Sequence, residues 1–182
     1  MHNLASVPSH RLHPQFAPSV RTVRSVIAGL TLFLLMTLGA ASAAADSHEE
    51  ADAAMTKYRQ TLMGGVGANM GAMGDILKNG LVLPGHIENH AGQLVDSAQL
   101  IAAAFRTQTK TSATDAKSEI WTDWKGFEKA IADFESAAKK VQAAAASGDP
   151  AAVGPAMRGL GKSCGGCHKP FRKPKEESYK NL

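Results

Sequence analysis

Cysteine is scarce in this chain, and the scarcity narrows its chemistry. Only Cys164 and Cys167 occur in 182 residues. A structural zinc site draws four ligands, usually from two C-x-x-C pairs, and a single pair is present. Alternating β-branched patterns are equally thin, so nothing signals the βαβ unit that houses a thioredoxin-like redox pair. No internal repeat occurs, and nothing is of low complexity beyond an alanine-rich run ending near Ala146. None of the 16 acidic residues precedes Asp46.

What remains of the cysteine chemistry is one contiguous motif, Cys164-Gly165-Gly166-Cys167-His168. Two thiols two residues apart can each add across one vinyl group of a haem. The histidine that follows can then turn its imidazole under the porphyrin and bind iron. The motif therefore predicts one covalently attached haem. A haem-free thiol switch using Cys164 and Cys167 is the bland reading beside it.

Residues 1–45 point to export. Arg11, Arg21 and Arg24 precede an uncharged apolar stretch, 26–36, which gives way to Ala41-Ser42-Ala43-Ala44-Ala45. A basic start, an apolar run and a small-residue site form the signature of a secretory signal peptide. Cleavage is expected after Ala43 or Ala45, leaving 46–182 as the mature, periplasmic domain with no stable membrane span. An uncleaved membrane anchor is the alternative. Export also removes a misleading charge. The whole chain is +4, but 17 basic and 16 acidic residues follow Ala45, a net +1. No general nucleic-acid footprint survives that correction.

Within 46–182 the apolar residues recur at helical spacing. A first helix is expected over 49–78, with Met55, Tyr58, Leu62, Val66, Met70, Met73 and Leu77 as its seam and Asn79-Gly80 as its stop. A second is expected over 87–105 and a third over 119–146. Asp149-Pro150 supplies the N-cap and first position of a fourth, which carries Met157, Leu160 and the haem motif. Such a pattern predicts an all-α antiparallel four-helix bundle with covalent haem near the C-terminus. The link over 107–118 reads as polar and exposed, and the charged tail after Pro174 as frayed.

Three stretches carry a family resemblance: Lys57-Tyr58-Arg59-Gln60-Thr61-Leu62-Met63, Glu119-Ile120-Trp121, and Gly161-Lys162-Ser163-Cys164-Gly165-Gly166-Cys167-His168-Lys169-Pro170-Phe171-Arg172. Together they resemble the class II c-type cytochromes, that is, the cytochrome c′ family and its low-spin relatives. The resemblance implies that Cys164 and Cys167 hold the porphyrin, that His168 is the proximal iron ligand, and that Arg172 is the family's basic residue four positions later. It also implies that Arg59 lies near a haem propionate and that Met63 approaches the distal face. Pro170 departs from the pattern and predicts an early end or a kink in the last helix; Pro155 raises the same question near its start.

Met63 carries the functional choice. As a sixth ligand its thioether would raise the reduction potential and suit electron transfer. As an apolar neighbour it would leave the iron five-coordinate and open to small gases. Met70 and Met73 read as core. Gly64, Gly67, Gly71 and Gly74 form a stripe costing the helix up to about 1 kcal/mol each. Haem is a reason for the first two, and a partner helix across a homodimer for the last two. The Gly- and Met-rich run favours the low-spin branch. The expectation is a non-enzymatic carrier shuttling electrons between a donor and an acceptor protein through His168/Met63-ligated iron. The alternative is a five-coordinate haem protein that binds nitric oxide or carbon monoxide. Trp121, Trp124 and Phe127 read as core, and His86 and His90 as a surface pair. Lys162, Lys169, Arg172, Lys173 and Lys175 are either a steering patch for a redox partner or a solvated helix end.

Overall fold

The structure is a computed structural model that describes the backbone of residues 20–181 and the side chains of 46–181. Two compact units divide the chain, Met1–Ala45 and Asp46–Leu182. The expected leader, its apolar run and both cleavage positions lie outside the residues whose side chains are described. Among the described residues no helix is long and apolar enough to cross a membrane.

Among the described residues the α-helices are four long and one short: α1 (Val20–Asn79), α2 (His86–Ala104), α3 (Glu119–Thr122), α4 (Trp124–Ala146) and α5 (Pro150–Phe171). They form the antiparallel four-helix bundle expected from the apolar periodicity. No strand occurs among the described residues; one isolated antiparallel bridge joins Ala116 to Arg172.

Local chemistry explains where the helices stop. Gly80 adopts φ +61°, and the Leu81 amide reaches back 3.0 Å to the Ile76 carbonyl, closing α1 with a left-handed cap. Asp149 accepts from the Ala151 amide at 2.9 Å and Pro150 occupies the first turn, as the sequence predicts. The expected third helix is instead two. Asp123 leaves helical geometry (φ −122°, ψ 58°) and caps α4 by accepting from the Gly126 amide at 3.0 Å. A Cβ on Gly126 would lie 2.1 Å from that carboxylate, so glycine makes room for the cap. Pro170 resolves as an ending: α5 closes at Phe171, and Arg172 is extended. Pro155 lies inside α5, which continues past it.

The core is built where α4 packs between α2 and α5. Ala91, Leu94, Ala98 and Ile101 of α2 are buried, as are Phe127, Ile131, Phe134, Ala138 and Val141 of α4. Phe127 is the aromatic centre, with ring centroids 5.4 Å from Phe105, 5.6 Å from Trp124 and 5.3 Å from Phe171. Such pairs add about 0.5–1.5 kcal/mol each beyond area burial.

The α1 seam differs from expectation at both ends. Met55, Tyr58 and Leu77 are exposed, while Thr56, Arg59 and Ile76 are buried; Met73 is buried as expected. The inward face of α1 is therefore partly polar. Arg59 donates from Nε to the Ala104 carbonyl (2.6 Å), from Nη1 to Thr109 Oγ1 (3.0 Å) and from Nη2 to the Thr107 carbonyl. It thus satisfies carbonyls at and beyond the end of α2, the negative end of that helix dipole. Thr56 shares a hydrogen bond with Thr109 at 3.1 Å.

The long link is exposed at half its positions, as expected, but it is also tied to α1. Thr109 is buried, the Lys110 amide donates to Asp52 at 2.6 Å, and Gln60 donates to the Ala113 carbonyl at 2.9 Å. The tail is not frayed. It forms two single 3-10 turns, Lys175–Glu177 and Tyr179–Asn181, separated by a buried Ser178.

Candidate haem site

One cavity of about 420 Å³ gathers the C-x-x-C-H motif and its facing residues. Cys164, Cys167 and His168 line it from α5, and Met63, Gly64, Val66 and Gly67 from α1. Phe127, Ile131 and Phe134 of α4 close its floor, and Arg59 and Arg172 also reach it. Every site residue expected from sequence therefore converges on one space, though they come from helices more than 100 positions apart in the chain. The helical repeat explains the α5 contribution: three and four residues span one turn, so Cys164, Cys167 and His168 share a face.

Desolvation shifts both thiols and the imidazole of the donor set. Burial pushes the Cys164 thiol up, and burial with the neighbouring Cys164 charge takes Cys167 to about 11. Reactive redox thiols are depressed instead, so the thiol-switch reading has no support here. Burial, and then the charge of Arg172, holds His168 below its ordinary value. Neutral imidazole is the form that ligates a metal. The residues present fit the group: two thiols and an imidazole on one face of α5, beside a cavity walled largely by apolar side chains.

Arg59 reaches the cavity already committed to protein carbonyls and to Thr109, with its guanidinium 4.9 Å from the Phe105 ring and 5.8 Å from Trp121. Desolvation lowers its pKa from the arginine value, and Asp52 opposes that effect. Three of its five N–H groups are used, so it is first a staple between α1 and the α2 terminus. Arg172 pairs with Asp115 at 3.6 Å, its side chain still half exposed.

Sequence reasoning missed the other wall. Thr114, Asp115 and Ala116 from the long link, and Tyr179 and Lys180 from the tail, all line the cavity. No periodicity marks them, because their positions depend on contacts between segments more than 60 residues apart.

The remaining motifs sort simply. Met73 is fully buried and Met70 packs against the core. Phe127 is in the core and also lines the cavity, whereas Trp121 and Trp124 are partly buried against the core, Trp121 donating to the Phe105 carbonyl at 2.8 Å. His90 bonds Asn69 at 2.8 Å, and among the described residues no group of three potential metal ligands occurs. A Cβ on Gly64, Gly67, Gly71 or Gly74 would meet nothing within 4 Å.

Residues 54–172 match the family model described as Cytochrome C′. Cytochrome c′ of Rhodospirillum rubrum is 35% identical over 121 residues, covering 66% of this chain and 82% of that protein. Cytochrome c′ of Pararhodospirillum photometricum is 33% identical over 120 residues, covering 65% and 96%. Among solved structures, the nitric oxide complex of a leucine-to-alanine variant of cytochrome c′ from Alcaligenes xylosoxidans is similar. It has a TM-score of 0.62 at 30% identity, covering 68% of this chain and 97% of that one.

These relatives overturn the expectation of an electron carrier with His168/Met63-ligated iron. They are cytochromes c′, one of them solved with nitric oxide bound, and the low-spin branch has no support. The physical reason lies in what a methionine signals. A thioether is a weak acceptor and a good filler of apolar space, so Met63 in a cavity wall looks the same in sequence whether or not it binds iron. The Gly- and Met-rich run carried no information about coordination. With the matched residues spanning both helices that supply the expected haem-binding side chains, this chain belongs to the cytochrome c′ family of class II c-type cytochromes and carries one covalently bound haem c.

Proposed function

We propose that this protein captures a diatomic gas, nitric oxide or carbon monoxide, and performs no substrate turnover. In this reading residues 1–45 direct it to the periplasm and are removed, and 46–182 is the working domain. Cys164, Cys167 and His168 would hold the haem, which would supply an iron able to bind the gas.

The observation that carries the reading is the composition of the α1 side of the cavity. Met63, Gly64, Val66 and Gly67 offer a small ligand an apolar surface with one weak sulfur acceptor. A diatomic gas is small and nearly apolar, so it loses little on leaving water for such a surface. The nitric oxide complex of the Alcaligenes xylosoxidans relative supports the same choice.

Each chain residue then has a task. Cys164 and Cys167 would fix the porphyrin to α5 through two thioether bonds. His168 would present its imidazole to the iron from the same face of α5 as the two cysteines. Met63 acts as a wall and not as a ligand. Phe127, Ile131 and Phe134 keep the site dry, which strengthens electrostatic interactions within it. Arg59 and Arg172 place positive charge where haem carboxylates need an offset.

Titration of the reduced, haem-loaded protein with carbon monoxide tests this reading. One equivalent should bind, with a spectral change that saturates. Failure of the reduced protein to take up either gas would sink it.

A further inference from the structure

The family match ends at Arg172, yet the chain continues, and that continuation folds back onto the cavity. Tyr179 and Lys180 are among its lining residues. One side chain holds them there. Asp115 Oδ1 accepts from the Tyr179 amide at 3.0 Å, and Oδ2 accepts from the Ser178 hydroxyl at 3.0 Å. The same Oδ2 stands 3.6 Å from Arg172 Nη2. Around this carboxylate the backbones pair: the Lys173 amide donates to the Asp115 carbonyl at 2.8 Å, and the Lys117 amide to the Phe171 carbonyl at 3.0 Å. Ser178 is 7% exposed and the Asp115 side chain 12%, so this junction is largely withdrawn from water. Charge-assisted hydrogen bonds in such a setting are roughly twice as strong as neutral ones.

We propose that residues 174–181 are a strap that completes the haem cavity, latched by Asp115, and that the strap screens the His168 side from molecules arriving through solvent. The proposal rests on the reading of this cavity as the haem site. Asp115 is a positioning residue: it acts through Ser178, Tyr179 and Arg172. A local geometric argument favours screening over a purely structural tail. His168, Arg172, Tyr179 and Lys180 line the same cavity, and Arg172, one turn after His168, shares the Asp115 carboxylate with Ser178 and Tyr179, so lifting the strap removes two lining residues on that side.

The test uses haem-loaded full-length protein, Asp115→Ala, and Tyr179→Ala, which keeps the latch carboxylate but trims the wall. Two quantities are read: amide hydrogen exchange across 174–181, and the rate at which ascorbate reduces the ferric protein. Asp115→Ala should raise exchange in the strap about tenfold or more and speed reduction by a similar factor. Tyr179→Ala should speed reduction while changing strap exchange less. If Asp115→Ala does not fold, a chain ending at Lys173 replaces it and should show the faster reduction. Unchanged strap exchange would remove Asp115 as the latch. Faster exchange with an unchanged reduction rate would show a tail that screens nothing, and would overturn the proposal. Neither readout depends on gas uptake. A protein that ignores carbon monoxide but shows both changes would lose the gas-binding reading and keep the strap.

Discussion

The two helices that supply the expected haem-binding side chains teach opposite lessons. On α5, Cys164, Cys167 and His168 are contiguous and chemically unambiguous, because thioether attachment and imidazole ligation need those atoms at that spacing. On α1, Met63, Gly64 and Gly67 are chemically permissive. Methionine can bind iron or fill a gap, and glycine can admit a cofactor, a partner helix or nothing. Both sets of residues line the one cavity, and it is the electron-carrier function drawn from the α1 side that the relatives overturn. A motif that makes covalent bonds declares its chemistry, whereas a wall that only excludes declares little.

Removing the declared chemistry should have the largest effect. Cys164→Ala with Cys167→Ala should abolish covalent haem, seen as loss of haem staining on a denaturing gel. Retained stain would break the comparison at its stronger end. On the α1 side the largest effect should come from Arg59, which is 3% exposed and bonds Ala104, Thr107 and Thr109. Arg59→Ala leaves buried acceptors unpaired and should cost about 2–3 kcal/mol in urea unfolding. A loss below ~1 kcal/mol would mean that water replaces the guanidinium freely.

Smaller effects probe the permissive positions. Met63→Leu is a near-isosteric swap and should cost less than about 1.5 kcal/mol, with the visible spectrum of the reduced protein unchanged. A change of spin state in this variant would restore Met63 as a ligand. Gly67→Ala should stabilise α1 by up to about 1 kcal/mol in the variant lacking both cysteines, since a Cβ there meets nothing within 4 Å. In the haem-loaded protein the same methyl should perturb the spectrum if the haem approaches Gly67. Equal behaviour in both forms would assign the glycine to some other cause.

The limits of the sequence reading follow the same division. Gly80 and the Asp149-Pro150 cap were legible because their causes are local: a positive φ at the glycine and a side chain that bonds two residues on. The break at Asp123 was equally local, with an aspartate three positions before a glycine, and the apolar periodicity running past it concealed it. The α1 seam was misplaced at Met55, Tyr58 and Leu77 because hydrophobicity was taken to mark the inner face. There the inner face carries Thr56 and Arg59, which answer carbonyls at and beyond the end of α2. Asp115 and the tail were illegible for a stronger reason. Their hydrogen bonds join residues 63 and 64 positions apart, and no spacing rule reaches that far.

The central claim is that Met63 walls the site without binding the iron, and the visible spectrum of the reduced, haem-loaded protein tests it most directly. A single broad band that sharpens on adding carbon monoxide is the predicted result, because five-coordinate iron leaves a position open. Sharp, well-separated bands before any gas is added, unmoved by carbon monoxide, would mean that the position is already filled and would contradict the account.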